Sequence, residues 1–340
     1  MRAPLYKCAL LAVLAYSSLP ALAQTPTQVP TFRVETQLVL VDVIADVKEK
    51  SMHTRALLTE LKKEDVRVFY NGHEMPIRSF DIGARHETRP IALWLIVQCN
   101  TGVPSEWHSG FLRGKTGNLR PALDALNESD AVGVAHWCYD GTASLDLSPG
   151  QDPDAALAAV DRLISRHSIE GENRRGELAM QKMIGMILDN VHDFKTERLP
   201  IFLFLYGDHC ATYVDEADRI IANVLKTSGI VFGLSDNGYP FDPMRQFSSG
   251  QIFYLVHYYS QETGGEFYST TDPRLFSSAL DYIFLRVHLR YTIGFRPRIF
   301  DGKAHTLKVE LTKEAQKRFP TAALRFRQEY IPAAAPSASP

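Results

Sequence analysis

Arg89-Pro-Ile-Ala-Leu-Trp-Leu-Ile-Val-Gln-Cys-Asn-Thr-Gly102 is the stretch that decides the fold. From Ile91 to Gln98 only the last residue is polar, so there is no alternation to mark an inner and an outer face. A strand apolar on both faces belongs to a sheet covered by helices on both sides, as in a parallel α/β unit. Gln98, Cys99, Asn100 and Thr101 follow at its carboxyl end. In open α/β sheets the ligand crevice lies beyond such ends. Amides, a thiol and a hydroxyl, none of them charged, therefore form the expected floor of any site.

Outward from this run, strands and helices alternate. Asp130 to Tyr139, Pro200 to Tyr206, Ile230 to Leu234 and Glu266 to Ser269 read as strands, with Gly141 to Leu147 returning as an edge. Helices are expected after Asp152-Pro153 and over Arg174 to Phe194, Asp215 to Thr227, Ile252 to Thr263 and Pro273 to Val287. That order predicts a doubly wound α/β domain over residues 89–287.

Both flanks are β-rich. Residues 32–88 contain the strand-forming run Leu38 to Ile44 and a hairpin at Asn71-Gly72, whose two residues both tolerate positive φ. Residues 288–332 suggest three strands, Tyr291 to Phe295, His305 to Leu311 and Leu324 to Tyr330. Each flank has too few strands to stand alone. The two are expected to pack together as a small antiparallel β-sandwich into which the α/β domain is inserted.

Residues 1–23 carry Arg2 and Lys7, a short apolar core and Ala21-Leu22-Ala23, the pattern of a signal peptide cleaved after Ala23. The apolar run is too short to span a bilayer. A secreted or periplasmic protein without membrane insertion is expected. Residues 24–31 read as a linker and 333–340 as a disordered Ala/Pro/Ser tail. The formal net charge of −2 and the lack of long Lys/Arg runs speak against nucleic acid as a partner. After cleavage Cys99, Cys138 and Cys210 would remain. Neighbouring strands lie ~4.8 Å apart, so a bridge from Cys99 to Cys138 or to Cys210 is geometrically reachable.

Motifs for chemistry are weak. Gly110 to Thr116 (GFLRGKT) is one residue short of a phosphate-binding loop and does not follow a strand directly. Gly233-Leu-Ser235-Asp-Asn-Gly238 has GxSxxG spacing where a nucleophile elbow needs GxSxG. The histidines show no metal-ligand spacing. His136, inside a strand, reads as a hydrogen-bonded core residue, and Tyr258 and Tyr259 as an exposed aromatic pair.

The order of several segments resembles the von Willebrand factor A-related Acidobacterial domain family. They are Phe32-Arg33-Val34 leading into LVLVDVIADV (38–47), LKKEDVRVFYNGHEMPIRSF (61–80), Glu262-Thr263-Gly264-Gly265, YTIGFRP (291–297) and DGKAHTLKVEL (301–311). The resemblance implies a von Willebrand A fold, six strands with the first one central, in an extracytoplasmic bacterial protein. Such domains bind macromolecules, often through a divalent cation. The family's Asp-x-Ser-x-Ser would fall on Gln98, Asn100 and Gly102, its Thr near Gly176-Glu177, and its later Asp at Gly207 or Asp208. A divalent ion needs hard, preferably anionic, oxygens in fixed geometry. A degenerate adhesion site with no metal and no cofactor is therefore expected.

These readings converge on a non-catalytic binding module, its ligand a cell-surface or extracytoplasmic protein. Asn100, Thr101, Asp140, Asp208, His209 and Asp236 would form the binding edge. The alternative is a cation-dependent binding protein or hydrolase using a rebuilt carboxylate cluster of Asp140, Glu177, Asp208 and Asp236.

Overall fold

In the computed structural model, Ile91–Gln98 lies inside a six-stranded sheet with all eight residues buried. The structure describes residues 38–48, 55–83, 89–98, 100–101, 116–138, 140–164, 167–168, 173–193, 198–206, 211–212, 214–235, 253–269, 273–297, 299 and 301–331. All belong to the compact unit Gln37–Pro340. The expected signal peptide, linker and tail lie outside the described residues.

The first segment supplies β1 (Val39–Lys48), β2 (Arg55–Leu57), β3 (Val66–Tyr70), β4 (His73–Met75) and β5 (Ile77–Ile82). Next come β6 (Ile91–Gln98), β7 (Asn100–Thr101), α1 (Thr116–Asp124), β8 (Ala131–Trp137), β9 (Ala143–Gly150), α2 (Pro153–Ile164) and β10 (His167–Ser168). The chain continues through α3 (Asn173–Asp193), β11 (Leu199–Tyr206), β12 (Ala211–Thr212), α4 (Val214–Lys226), β13 (Ile230–Ser235) and β14 (Phe253–Tyr254). After these come α5 (Leu255–Thr263), β15 (Phe267–Ser269) and α6 (Pro273–His288). The last segment forms β16 (Tyr291–Phe295), β17 (His305–Leu311), α7 (Lys313–Arg318), β18 (Ala322–Arg325) and β19 (Glu329–Tyr330).

The six-stranded sheet has the order β15-β13-β11-β6-β8-β9. All neighbours are parallel except β9, which returns antiparallel on β8. Alternate residues of β6 feed two cores. Ile91, Leu93, Leu95 and Val97 pack with α1, α2 and α6, while Trp94 and Ile96 pack with α3, α4 and α5. Each fully buried Leu or Ile contributes roughly 1.5–3 kcal/mol before chain entropy is counted, so the central run strongly favours this placement. Asp152 starts α2 by accepting from Asp154 N at 2.9 Å and Ala155 N at 3.1 Å, an N-terminal cap.

The flanking segments make two further sheets. One has the order β18-β1-β16-β5 with β2 attached to β1, the other β19-β17-β3-β4. They share a core that includes Val41, Val68, Ile293 and Val309. The Asn71-Gly72 turn takes φ 50° and 76° between β3 and β4, as expected for that dipeptide.

Expectation and structure part at the last segment. Leu324 to Tyr330 is not one strand, because β18 pairs with β1 and β19 with β17. The chain changes sheets at Phe326-Arg327, where Gly264 meets it. Gly264 has φ +82°, and a Cβ there would stand 2.6 Å from the Phe326 backbone. Thr263 Oγ1 accepts from Val231 N at 2.9 Å and donates to the Tyr259 carbonyl at 2.7 Å. The Glu262 carbonyl accepts from Gln328 N at 3.1 Å. The Glu262-Thr-Gly-Gly265 motif is thus a joint between α5, β13 and the last segment. The exposed pair is corrected here too: Tyr259 is fully buried and Tyr258 half-buried, since Tyr259 faces the core of α3, α4 and α5.

β1 ties the terminal sheets to the α/β unit. Val39, Val41, Val43 and Ala45 face the core between the terminal sheets. On the other face Ile44 joins the α/β core, flanked by buried Asp42 and Asp46. Arg290 Nε donates to Asp42 Oδ1 at 2.8 Å, and Thr292 Oγ1 donates to the same oxygen at 3.0 Å. Arg286 donates to Asp46 Oδ2 at 2.8 Å and also pairs with Glu266. Its guanidinium lies 4.0 Å from the Tyr282 ring centroid. Buried charges persist only when so paired.

Candidate functional site at the carboxyl edge of the sheet

β6 ends at Gln98, whose side chain is on the same face as Trp94 and Ile96 by strand alternation. The residue is 6% exposed, and its Oε1 finds no hydrogen-bond partner among the described residues. Gln98 stands opposite Trp137 in the register. Across the other half of the edge, Tyr206 is opposite Ser235 and Ser235 opposite Ser269. The ends of five strands therefore align in one row.

Asn100 and Thr101 form β7 beyond Gln98. They pair parallel with His167 and Ser168 of β10, so the segment after α2 is drawn against the segment after the central strand. Sequence reasoning missed this pairing, since no local pattern marks two-residue strands. A second short pairing, β12 with β14, adds Ala211-Thr212 and Phe253-Tyr254. Phe253 and Tyr254 had been expected inside a helix, which instead opens at Leu255.

Asp140 lies in the turn between β8 and β9. Its Oδ1 accepts from Thr142 N at 2.8 Å and from Thr142 Oγ1 at 2.7 Å. Gly141, with φ 91°, donates its N–H to the Cys138 carbonyl at 3.1 Å, and Cys138 N donates to the Thr142 carbonyl at 2.9 Å. One carboxylate oxygen of Asp140 is thus occupied in holding its own turn. Cys138, 1% exposed, is disulfide-bonded. Its partner cysteine lies outside the described residues, as do Cys99 and Cys210.

Asp208, His209 and Asp236 also lie outside the described residues. In sequence they follow Tyr206 by two and three residues and Ser235 by one. Of the six expected binding residues, the structure therefore places three at this edge: Asn100, Thr101 and Asp140. Gly110 to Lys115 are outside as well, and Thr116 opens α1. Ser235 ends β13 as a paired strand residue. His136 is the hydrogen-bonded core residue expected of it, with Nδ1 2.7 Å from Asp146 Oδ2 at 2% exposure.

The edge is built of strand ends with amide and hydroxyl residue types in their sequence, Gln98, Asn100, Thr101, Ser235 and Ser269. Among the described residues no group of three or more His, Cys, Asp or Glu is placed to hold a metal ion. The residues that sequence reasoning overlooked lie at the other, amino end of the sheet, where Arg290 also donates to the Arg89 carbonyl and Arg286 pairs with Glu266 ahead of β15: Asp42, Asp46, Arg286 and Arg290. The signal was present as two acids four residues apart inside the apolar strand LVLVDVIADV.

No protein-family model matches the chain, and no curated protein matches it. Among solved structures, it is similar to a von Willebrand factor type A protein from Catenulispora acidiphila. The TM-score is 0.42 at 11% identity, over 89% of this chain and 76% of the other. The PilB minor pilin of Streptococcus sanguinis aligns at a TM-score of 0.40 and 8% identity, over 74% of this chain and 78% of its own. The conserved hypothetical protein BatB from Bacteroides thetaiotaomicron aligns at 0.36 and 15% identity, over 58% of this chain and 97% of its own. Similarities this loose assign neither a family nor a function.

Proposed function

We propose that this chain is an extracytoplasmic binding module of the von Willebrand A type, non-catalytic and independent of a divalent cation. The α/β unit is read as inserted in a β-sandwich made by the two flanking segments, and the carboxyl edge of its sheet as the binding face. Two features support the von Willebrand A reading: the first strand of the unit lies among its six strands with partners on both sides, and β9 alone runs antiparallel. The observation that carries the cation-free reading is Gln98. A neutral, buried amide ends the central strand where the resembled family has its first aspartate, and Asp140, in the turn after the neighbouring strand, gives one carboxylate oxygen to Thr142. Among the described residues a doubly charged ion would lack the anionic oxygens it needs. Amides and hydroxyls on a rigid sheet edge suit recognition of a macromolecule by shape and hydrogen bonds.

The secreted or periplasmic location rests on the signal-peptide pattern of residues 1–23. No helix among the described residues is long and apolar enough to cross a membrane.

Two measurements test the proposal. Calorimetric titration with Mg²⁺, Mn²⁺ and Ca²⁺ is expected to give no stoichiometric binding; tight binding abolished by Asp208→Ala would establish the rebuilt carboxylate cluster instead. Affinity capture from envelope extract is expected to recover a protein with the wild type and lose it with Asn100→Arg. Recovery of the same proteins by both would show that the face is wrongly assigned.

A further inference from the structure

At the opposite, amino end of the sheet, Asp130 immediately precedes β8. Its carboxylate accepts from Ile91 N at 2.8 Å and from Asn127 N at 2.9 Å. His288, the last residue of α6, stands with Nε2 3.3 Å from Asp130 Oδ2 and Nδ1 2.9 Å from the Phe284 carbonyl. Burial alone would raise the Asp130 pKa, but the bonds from His288 and from the Ile91 and Asn127 N–H groups outweigh it and hold the carboxyl below its usual range. Both ring nitrogens of His288 are engaged, so this side chain forms a fixed wall.

Beside that wall lies a cavity of about 750 Å³, between the residues that follow α1 and the last turns of α6. Its size falls in the ~300–1,000 Å³ range of ligand pockets. Its apolar lining includes Ala122, Phe284, Leu285 and Leu289. Leu285 is 49% exposed, the most exposed large apolar side chain among the described residues. Glu128 and Asp281, both exposed, also line it; no lysine or arginine is among the lining residues, while neighbouring Arg198 donates from Nε to the Ser129 carbonyl at 2.9 Å. Neither carboxylate is in an ion pair among the described residues.

We infer that this cavity is a second binding site, separate from the carboxyl edge, for a basic and apolar peptide segment of a partner protein. The occupant must cover Leu285 and Phe284 and bring positive charge to Glu128 and Asp281. Lysine and arginine do both, with an apolar stem beneath a cationic head. An anionic ligand would meet two unneutralised carboxylates, and a purely apolar one would leave them facing nothing. Because the proposal uses no residue of the carboxyl edge, it stands or falls independently of the reading above.

The probe is the peptide acetyl-Leu-Arg-Leu-Arg-amide, titrated into the full chain and followed by NMR, with acetyl-Leu-Gln-Leu-Gln-amide as the uncharged comparison. Expected are saturable shifts of the Leu285 methyls with the basic peptide only, weakened by raising salt. The double variant Glu128→Gln/Asp281→Asn, which alters exposed groups and should fold normally, is expected to weaken binding about fivefold, the scale of two exposed charge contacts. Asn100→Arg is expected to leave it unchanged. Absence of saturation, equal binding of both peptides, or unchanged affinity in the double variant would overturn the inference. So would concentration-dependent dimerisation abolished by the double variant, which would assign the cavity to a second copy of the chain.

Discussion

Asp46→Ala tests how the flanking segments hold the α/β unit. Asp46 is fully buried, and the Arg286 side chain that donates to it at 2.8 Å is 1% exposed. Removing one member of a buried ion pair costs about 3–5 kcal/mol, because the remaining charge loses its partner. Arg286 retains Glu266 and Tyr282, which argues for the lower end, about 3 kcal/mol. For a unit spanning Gln37–Pro340 1 kcal/mol moves Tm by roughly 1.5–2 °C, so a fall of about 5–6 °C is expected by circular dichroism. The difference should persist in 1 M salt, because buried pairs are poorly screened. Glu74→Ala is the internal control: it removes an ion pair with Arg67 in which both side chains are exposed, and Tm should not move beyond scatter. The double variant Asp46→Leu/Arg286→Met should recover most of the loss, since an apolar pair can replace a buried ionic one, and Arg325, 3.5 Å from Asp46, keeps Glu266 at 3.0 Å. A single-variant loss below about 1 kcal/mol, the value of a surface pair, would refute the reasoning.

Three further outcomes are expected. Gly264→Ala should cost about 2 kcal/mol or more, from left-handed strain and the clash with the Phe326 backbone. Gly185→Ala in α3, with nothing within 4 Å of the added Cβ, should instead stabilise by about 0.5–1 kcal/mol; chemical denaturation compares the two. Burial pushes the His257 imidazole down to about 4 from 6.5, so between those values the unfolded chain binds the additional proton and stability must fall as pH falls. A Tm–pH profile of His257→Gln should lose that slope, and an unchanged slope would refute it. In the register Gln98 faces Trp137, and the next residue in sequence after each is a cysteine. Non-reducing peptide mapping is accordingly expected to link Cys138 to Cys99, and a Cys138–Cys210 peptide would refute the register argument.

Local chemistry made much of this architecture readable. Ile91 to Val97 cannot be solvated on either face, so the strand had to be covered on both sides. Asn71-Gly72 can take the two positive φ angles of a tight hairpin, and the structure has them there. Asp152-Pro153 starts a helix wherever the chain places it. At the candidate site, Gln98, Asn100 and Thr101 could be assigned to the strand's carboxyl end because they directly follow the apolar run.

Other features depended on partners far along the chain. Tyr259 looked as exposable as Tyr258 until α5 docked with that ring inward. Phe326-Arg327 reads as strand, yet the approach of Gly264 makes it the crossing between two sheets. Asp140 reads from sequence as a carboxylate at the strand's end, and only the geometry of its turn shows that one of its oxygens is held by Thr142. Asp42 and Asp46 were visible as acids in an apolar strand, but their cations, Arg290 and Arg286, lie 248 and 240 residues later. The sequence by itself determined which residues must leave water and which turns the backbone could make, because those depend on neighbours along the chain. Only the tertiary structure decided which buried charges meet and which side chains remain at the surface, because both depend on groups brought together from distant segments.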